Sequence, residues 1–138
     1  MIIYTPEKPP RRTHGNPEAH IQADCVLWLW NTYPETRGLY FCVNNENSRS
    51  KYESRKQQLR SGAQRKALGI VPGVSDTILM IPRKGYHALC IEFKTPIGHQ
   101  SDVQKEWQEK VESQGYRYVV IRSLEDFQNE IENYLSHG

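Results

Sequence analysis

The run of apolar residues that ends at Phe93 constrains the fold of this chain more than any other segment. Read as an extended strand, it places Leu89, Ile91 and Phe93 on one face. The other face carries Ala88 and Cys90. A strand that is apolar on both faces belongs in the middle of a sheet with helices above and below it. The sequence therefore predicts an α/β fold with this strand in the interior of its sheet.

Helix and strand signals on either side of this strand predict how the sheet is built. Asn16 followed by Pro17 is typical of a helix start, and Ser101 with Gln104 forms a capping box for a later helix. The predicted strands are residues 39–43, 75–81, 86–93 and 117–121, and the predicted helices are residues 16–33, a basic helix ending at Gly69, residues 101–114 and a last helix opened by Ser123. This order predicts an α/β fold with a mixed central β-sheet of about four strands flanked by helices.

The apolar spacing also predicts which parts of these elements are buried. Residues 39–43 have the composition of a buried strand. An apolar stripe in the basic helix and another in the last helix are expected to pack inward. The members of these stripes are Tyr52, Leu59, Ala63 and Ala67 in the basic helix, and Phe127, Ile131 and Leu135 in the last helix.

The bulk properties describe one ordinary domain. The 138 residues fit a single domain, and their prolines and glycine predict a flexible N-terminal arm over residues 1–15, with one domain over residues 16–138. Neither a secretory signal nor an apolar run long enough to span a bilayer is expected. The odd number and wide spacing of Cys25, Cys42 and Cys90 favour buried thiols in a reducing cytoplasm over disulfides.

The charge of the chain is distributed unevenly. Its net charge is only +2, but residues 48–68 alone carry +6, so the remainder carries −4. Such an asymmetry indicates a polyanionic partner on one face, although a charge run can also be a solvated helix face. The basic residues of the segment are Arg49, Lys51, Arg55, Lys56, Arg60, Arg65 and Lys66.

Three charged residues are candidates for chemistry. Glu92 and Lys94 are two positions apart on one predicted strand, so their side chains project from the same face. Asp76 opens the neighbouring hairpin strand, which can bring its carboxylate beside Glu92. Two adjacent carboxylates suit a hard divalent cation, and the lysine offers a positive charge to a phosphate. The alternative is a cross-strand ion pair at a sheet edge, with Asp76 capping a turn.

The context of these residues resembles a known family. Gly73-Val74-Ser75-Asp76 is followed by Ile91-Glu92-Phe93-Lys94, and then by Gly98, Ser101-Asp102-Val103-Gln104 and Trp107. This ordered run is similar to the virus-type replication-repair nuclease domain (VRR-NUC), a branch of the PD-(D/E)xK nuclease superfamily with a restriction-endonuclease-like core. The resemblance covers roughly residues 17–135. Two departures are Ser75, where the family typically has proline, and residues 43–45, where it typically has Pro-Asn-Gly.

The resemblance implies a role for each matching residue. Asp76 and Glu92 match the two metal-binding carboxylates, with the backbone carbonyl of Phe93 as a further ligand for Mg²⁺ or Mn²⁺. Lys94 matches the catalytic lysine. Gln104 matches a glutamine beside the site, and Glu18 matches an acidic residue early in the first helix, where an acid also favours the helix dipole.

The resemblance also implies a substrate and an assembly. It predicts a metal-dependent DNA endonuclease from a bacterial or phage setting, acting on branched DNA such as four-way (Holliday) junctions as a homodimer. Trp30, which points away from the core face of its predicted helix, is a candidate for the subunit contact. The alternatives are a flap or restriction-like nuclease of the same chemistry, and a non-catalytic DNA-binding module on the same fold.

Overall fold

A four-stranded sheet and four helices make up the described part of the chain, which in this computed structural model comprises residues 5, 6, 8, 16–43 and 54–136. The helices are α1 (Pro17–Thr32), α2 (Arg55–Ala67), α3 (Asp102–Ser113) and α4 (Leu124–Leu135), with a short 3₁₀ turn at Pro34–Thr36. The strands are β1 (Tyr40–Cys42), β2 (Thr77–Leu79), β3 (Leu89–Phe93) and β4 (Arg117–Ile121). The predicted order of helices and strands is therefore confirmed.

The sheet is mixed, as predicted, with the strands in the order β1-β2-β3-β4. β1 pairs with β2 and β2 with β3 in antiparallel fashion, whereas β3 pairs with β4 in parallel. Every residue of β3 is buried, and this strand lies between β2 and β4. Its apolar character on both faces thus matches its interior position.

The helix starts follow from local hydrogen bonds. The side chain of Asn16 accepts a hydrogen bond from the amide of Ala19 at 3.1 Å, and Pro17 occupies the first helical position of α1. Ser101 and Gln104 form the predicted capping box of α3. Ser123 begins α4 by accepting a hydrogen bond from the amide of Asp126 at 3.1 Å. Each predicted cap is confirmed.

The two faces of the sheet are covered differently. On one face, α1 and α4 enclose the core with β3, and the fully buried members of this cluster include Leu29, Leu89, Ile91, Phe93, Phe127 and Ile131. On the other face, α3 lies against β4, where the rings of Trp107 and Tyr118 meet edge to face. Burial of α4 also includes Tyr134, whereas Leu135 is only partly buried.

Two predictions of burial are wrong. β1 is an edge strand that is buried on one face only: Tyr40 is fully buried, whereas Phe41 and the preceding Leu39 are 39% and 43% exposed. The predicted apolar stripe of α2 does not pack inward either: Leu59 is 67% exposed, and Ala63 and Ala67 are exposed. Tyr52 lies outside the described residues.

The remaining expectations about buried and exposed residues are confirmed in part. The thiols of Cys25 and Cys90 are buried as predicted, but Cys42 is exposed, and all three are free. Trp30 does not face outward for a partner: it packs against the core and donates a hydrogen bond to the carbonyl of Tyr40 at 3.2 Å. The predicted arm over residues 1–15 falls mostly outside the described residues, although the carbonyl of Thr5 accepts a hydrogen bond from Arg37. No helix within the described ranges is long and apolar enough to cross a membrane.

Gly73, at the turn before β2, provides a test of this packing. It has a φ of 84°, and a Cβ at this position would lie 2.6 Å from the carbonyl oxygen of Val103 in α3. Gly69 has a similar φ of 82° but nothing within 4 Å of such a Cβ. Gly69→Ala should cost only the backbone strain, about 1 kcal/mol. Gly73→Ala should lower the free energy of unfolding by a further 1–3 kcal/mol or so, the usual cost of overpacking.

Urea denaturation of the two variants measures this difference. Equal losses of stability in Gly69→Ala and Gly73→Ala would contradict the close approach of the turn to α3.

Candidate active site

The end of β3 and the start of β2 are brought together by their antiparallel pairing. Thr77 lies opposite Ile91, so Asp76 lies beside the C-terminal end of β3. The Asp76 carboxylate accepts a hydrogen bond from the backbone amide of Phe93, with Oδ2 and N 2.7 Å apart. The Asp76 side chain thus binds the backbone of β3 at the point where the backbone pairing with β2 ends. This contact places Asp76 next to Glu92, as the sequence predicted.

Glu92 is a buried carboxylate with one oxygen that accepts a hydrogen bond and one that accepts none. Only 2% of the residue is exposed. Its Oε1 accepts a hydrogen bond from Nε2 of Gln104 at 3.0 Å and lies 4.0 Å from Nζ of Lys94. Its Oε2 is buried and accepts no hydrogen bond, but it lies close enough to the Asp76 carboxylate to share a proton with it. A buried anionic oxygen of this kind is costly unless a cation or a proton compensates it.

The surroundings of Glu92 favour its protonated form when no cation is bound. Burial is the main cause that raises its pKa from 4.5 to about 8, and the negative charge of Asp76 adds to the increase. Lys94 acts in the opposite direction, but its effect is smaller than that of burial. The positive charge of Lys94 therefore does not compensate the negative charges of Glu92 and Asp76 at this buried position.

Gln104 connects this carboxylate to the start of α3. The side-chain Oε1 of Gln104 accepts a hydrogen bond from the backbone amide of Ser101 at 2.8 Å. The backbone amide of Gln104 donates to Oγ of Ser101 at 3.3 Å. Because the capping box occupies the oxygen of the side-chain amide, the Nε2 group is left pointing at Glu92. The helix cap thereby sets the orientation of one carboxylate oxygen.

Glu18 and Lys94 complete the group of charged residues predicted from the sequence. The charge of Glu18, in the first turn of α1, is the smallest of the causes that raise the pKa of Glu92, so this turn lies near the site. Lys94 follows β3 directly, and its amide continues the pairing with β4 by donating to the carbonyl of Ile121 at 2.9 Å. Only 12% of its side chain is exposed. The fold thus brings Asp76, Glu92, Lys94, Gln104 and Glu18 to one end of the sheet.

The donor groups at this end of the sheet fit a hard divalent cation. Two carboxylates, one of which has a buried oxygen that accepts no hydrogen bond, are the kind of ligands that Mg²⁺ and Mn²⁺ prefer. Within the described residues there is no cluster of three or more His, Cys, Asp or Glu side chains suited to a metal. Any ion held here would therefore need ligands beyond the Asp76 and Glu92 carboxylates, such as a backbone carbonyl or water.

The predicted nucleic-acid-binding residues lie on α2. This helix begins with the capping box of Ser54 and Gln57 and contains no acidic residue. Its five basic residues are Arg55, Lys56, Arg60, Arg65 and Lys66, of which Arg65 is half-buried and the others are exposed. Arg49 and Lys51 lie outside the described residues. Two of the cations stand in the first turn, where the helix dipole disfavours positive charge, so folding alone does not explain them.

The sequence did not reveal the role of Arg122. Its Nη1 donates hydrogen bonds to the carbonyls of Thr95 and Gly98, both at 2.7 Å, and so holds the turn that follows Lys94. The parallel pairing of Phe93 with Ile121 aligns Arg122 with Lys94 at the ends of their strands. The sequence shows a basic residue directly after the last strand. Its contact with the turn can be predicted only when the register of β4 is known.

The structure places an aspartate, a glutamate and a lysine at the adjoining ends of two antiparallel strands in a mixed sheet, the arrangement that the resemblance to PD-(D/E)xK nucleases implies. Comparison with known proteins agrees with this class. The profile of the VRR-NUC domain family matches residues 17–125. The chain therefore belongs to the VRR-NUC family, and it is a nuclease of the PD-(D/E)xK type.

The fold comparison supports the same conclusion. A solved structure described as a VRR_NUC domain protein superposes with a TM-score of 0.71 at 22% sequence identity, covering 89% of this chain and 91% of that chain. At this identity the likeness concerns the fold alone. Among curated proteins, none matches the sequence.

The raised pKa of Glu92 predicts a pH dependence of stability in the absence of divalent cations. The folded protein keeps a proton on Glu92 that the unfolded chain releases above its ordinary pKa of 4.5. The stability from this proton is present in full below pH 4.5 and is lost as the pH rises through about 8. In EDTA, the melting temperature of the wild type relative to Glu92→Gln should therefore fall between these pH values.

Glu125→Gln, which removes an exposed carboxylate from the first turn of α4, is the matched control. A constant difference between the wild type and Glu92→Gln across this pH range would show that Glu92 is ionised in the folded protein.

Proposed function

We propose that this protein is a metal-dependent DNA endonuclease that hydrolyses phosphodiester bonds, with Asp76, Glu92 and the backbone carbonyl of Phe93 holding Mg²⁺ or Mn²⁺. The observation that carries this proposal is the buried Oε2 of Glu92, which accepts no hydrogen bond, beside Asp76. Two carboxyl groups side by side at a buried position are unfavourable for stability, because only a proton or a cation can compensate their charge.

Each residue of the site has a distinct task in this proposal. A bound divalent ion lowers the pKa of water and neutralises charge on the phosphate. Asp76 is held against the backbone of β3, so its free oxygen has a defined direction. Gln104 holds one oxygen of Glu92 and leaves the other available. Binding of a cation then replaces the proton that burial retains on Glu92, so cation affinity rises with pH.

Lys94 supplies the fixed positive charge. Its ammonium group is close to Glu92 and mostly shielded from water, which strengthens its attraction for an anion. A phosphate oxygen, or the oxygen that attacks the phosphorus atom, is the group that this ammonium would stabilise as negative charge develops.

The cationic helix α2 is proposed to bind the sugar-phosphate backbone. Its five basic residues and lack of acidic residues suit a polyanion, and contacts of this kind contribute affinity without reading sequence. Branched DNA such as a four-way junction, and a homodimer that would cut two strands, stay predictions from the family resemblance. Trp30 no longer supports the dimer, because its indole is used within the subunit.

Asp76→Asn tests the proposed chemistry. The substitution keeps the size of the side chain but removes an anionic ligand, so Mg²⁺-dependent cutting should fall by at least about a hundredfold. Binding of DNA in EDTA should be unchanged or tighter, because a negative charge near the phosphate has been removed. The assay uses labelled duplex, flap and four-way junction DNA with Mg²⁺, Mn²⁺ or EDTA.

Two further variants complete this experiment. Lys94→Ala should lose cutting to a similar extent but should weaken binding, since it removes a cation instead of an anion. Asp126→Asn, at an exposed position in the first turn of α4, should cut normally. Normal cutting by folded Asp76→Asn would refute the assignment of the site. Binding without cutting by the wild type, with any metal and any substrate, would favour the DNA-binding module.

The role of α2 is tested through the salt dependence of binding. Replacing Arg55, Lys56 and Arg60 with alanine should weaken DNA binding and reduce the slope of log K against log salt by about one unit for each lost phosphate contact. The cutting rate at saturating DNA should stay close to that of the wild type. The double variant Lys84→Ala and Lys110→Ala, which removes exposed lysines outside α2, is the control. An unchanged slope in the triple variant would mean that α2 faces solvent in the complex.

A further inference from the structure

A cavity of about 670 Å³ opens between the start of α1 and the turn that follows β3. Its volume lies within the range of about 300–1,000 Å³ that is usual for sites that bind small molecules. Its lining contains no aspartate, glutamate, lysine or arginine. The cavity is lined by Asn16, Pro17, His20 and Ile21 at the start of α1 and by Thr95, Pro96 and Ile97 from the turn.

Ile97 is the most unusual member of this lining, because 87% of it is exposed. The turn that carries it is nevertheless well held. The amide of Gly98 donates to the carbonyl of Thr95 at 3.1 Å, and Arg122 donates to the carbonyls of both residues at 2.7 Å. Three hydrogen bonds thus hold a turn that presents an apolar side chain to solvent. Packing among the residues that the structure describes does not account for that arrangement.

The cavity adjoins the candidate active site through both of its walls. On one side, Thr95 directly follows Lys94 in the chain. On the other side, Pro17 directly precedes Glu18, whose charge acts on Glu92. Consecutive Cα atoms are about 3.8 Å apart, so the backbone of each wall comes within one residue of Lys94 or of Glu18. The cavity therefore lies beside the candidate active site.

We propose that this cavity is a subsite for an unpaired nucleobase of the DNA strand next to the scissile phosphate, with Ile97 and Pro96 forming one wall and Ile21 the other. The subsite rests on the proposed nuclease function. Its uncharged lining does not suit a phosphate, which Lys94 and α2 would hold, but it suits the flat apolar faces of a base.

The subsite would give the enzyme a preference that the metal-binding residues cannot provide. In an intact duplex, the bases are stacked and paired, and taking one out costs a few kcal/mol. At a flap, a gap or the centre of a junction, a base near the cut is already unpaired or easily released. The cavity would therefore favour DNA in which a base beside the scissile phosphate is free to enter it.

The test combines a change in the protein with a change in the DNA. Asp76→Asn protein in EDTA binds, without cutting, a set of gapped duplexes in which one unpaired nucleotide at a time is abasic. One abasic position should weaken binding about fivefold or more, a modest value for a single base contact. Ile97→Ala, made in the same Asp76→Asn background, should weaken binding of the intact gapped DNA by a similar factor. Combining Ile97→Ala with that abasic DNA should cause little further loss.

Fluorescence provides an independent readout of the same contact. 2-Aminopurine at the sensitive position should change its emission when the Asp76→Asn protein binds, and this change should be smaller with Ile97→Ala. Met80→Ala, which truncates another side chain that is 56% exposed, should behave like the wild type in every assay. Since Ile97 contacts mostly solvent, Ile97→Ala should also melt at the same temperature as the wild type.

The possible outcomes separate the subsite from the nuclease function. If no abasic position matters, or if the effects of Ile97→Ala and of the missing base simply multiply, the subsite is refuted even when the wild type cuts DNA normally. If the coupling is found but the wild type cuts no DNA with any metal, the base contact stands and the proposed endonuclease function fails.

Discussion

The fold places a carboxylate at an almost fully buried position, and the other features of the site follow from that constraint. Glu92 lies in a strand whose neighbours on both faces are buried, so its charge is unfavourable without a partner. Gln104 satisfies one oxygen, and Lys94 stands at 4.0 Å without cancelling the effect of burial. The proximity of Asp76 makes the deficit of positive charge larger. A site with this deficit is prepared for a cation before any cation arrives.

The sheet topology explains why this constraint arises at one particular place. β2 runs antiparallel to β3, and β4 runs parallel to it, so the end of β3 meets the beginning of β2 and the end of β4. Asp76 comes from the first of these neighbours, and Arg122 comes directly after the second. Because Arg122 holds the turn after Lys94, the parallel strand also shapes the rim of the site.

Much of this could be predicted from the sequence, because the relevant signals are local. The apolar pattern of β3, the caps at Asn16, Ser101 and Ser123, and the spacing of Glu92 and Lys94 each involve residues a few positions apart. The errors concern contacts between distant residues. An apolar strand at a sheet edge has the same composition as one at the centre, which is why β1 was expected to be buried. Likewise, the pattern of α2 does not say whether any surface exists for Leu59 to pack against.

The capping box of α3 has a consequence for how the site loses its order. Helix ends open locally at a lower free energy than the whole domain, and Ser101 and Gln104 form such an end. Each time this first turn opens, the hydrogen bond from the side-chain amide of Gln104 to Glu92 is broken, although β3 itself stays folded. The orientation of the Glu92 carboxylate therefore depends on the stability of the first turn of α3 and not on that of the sheet. Heating would therefore break the hydrogen bond that orients Glu92 before the domain unfolds.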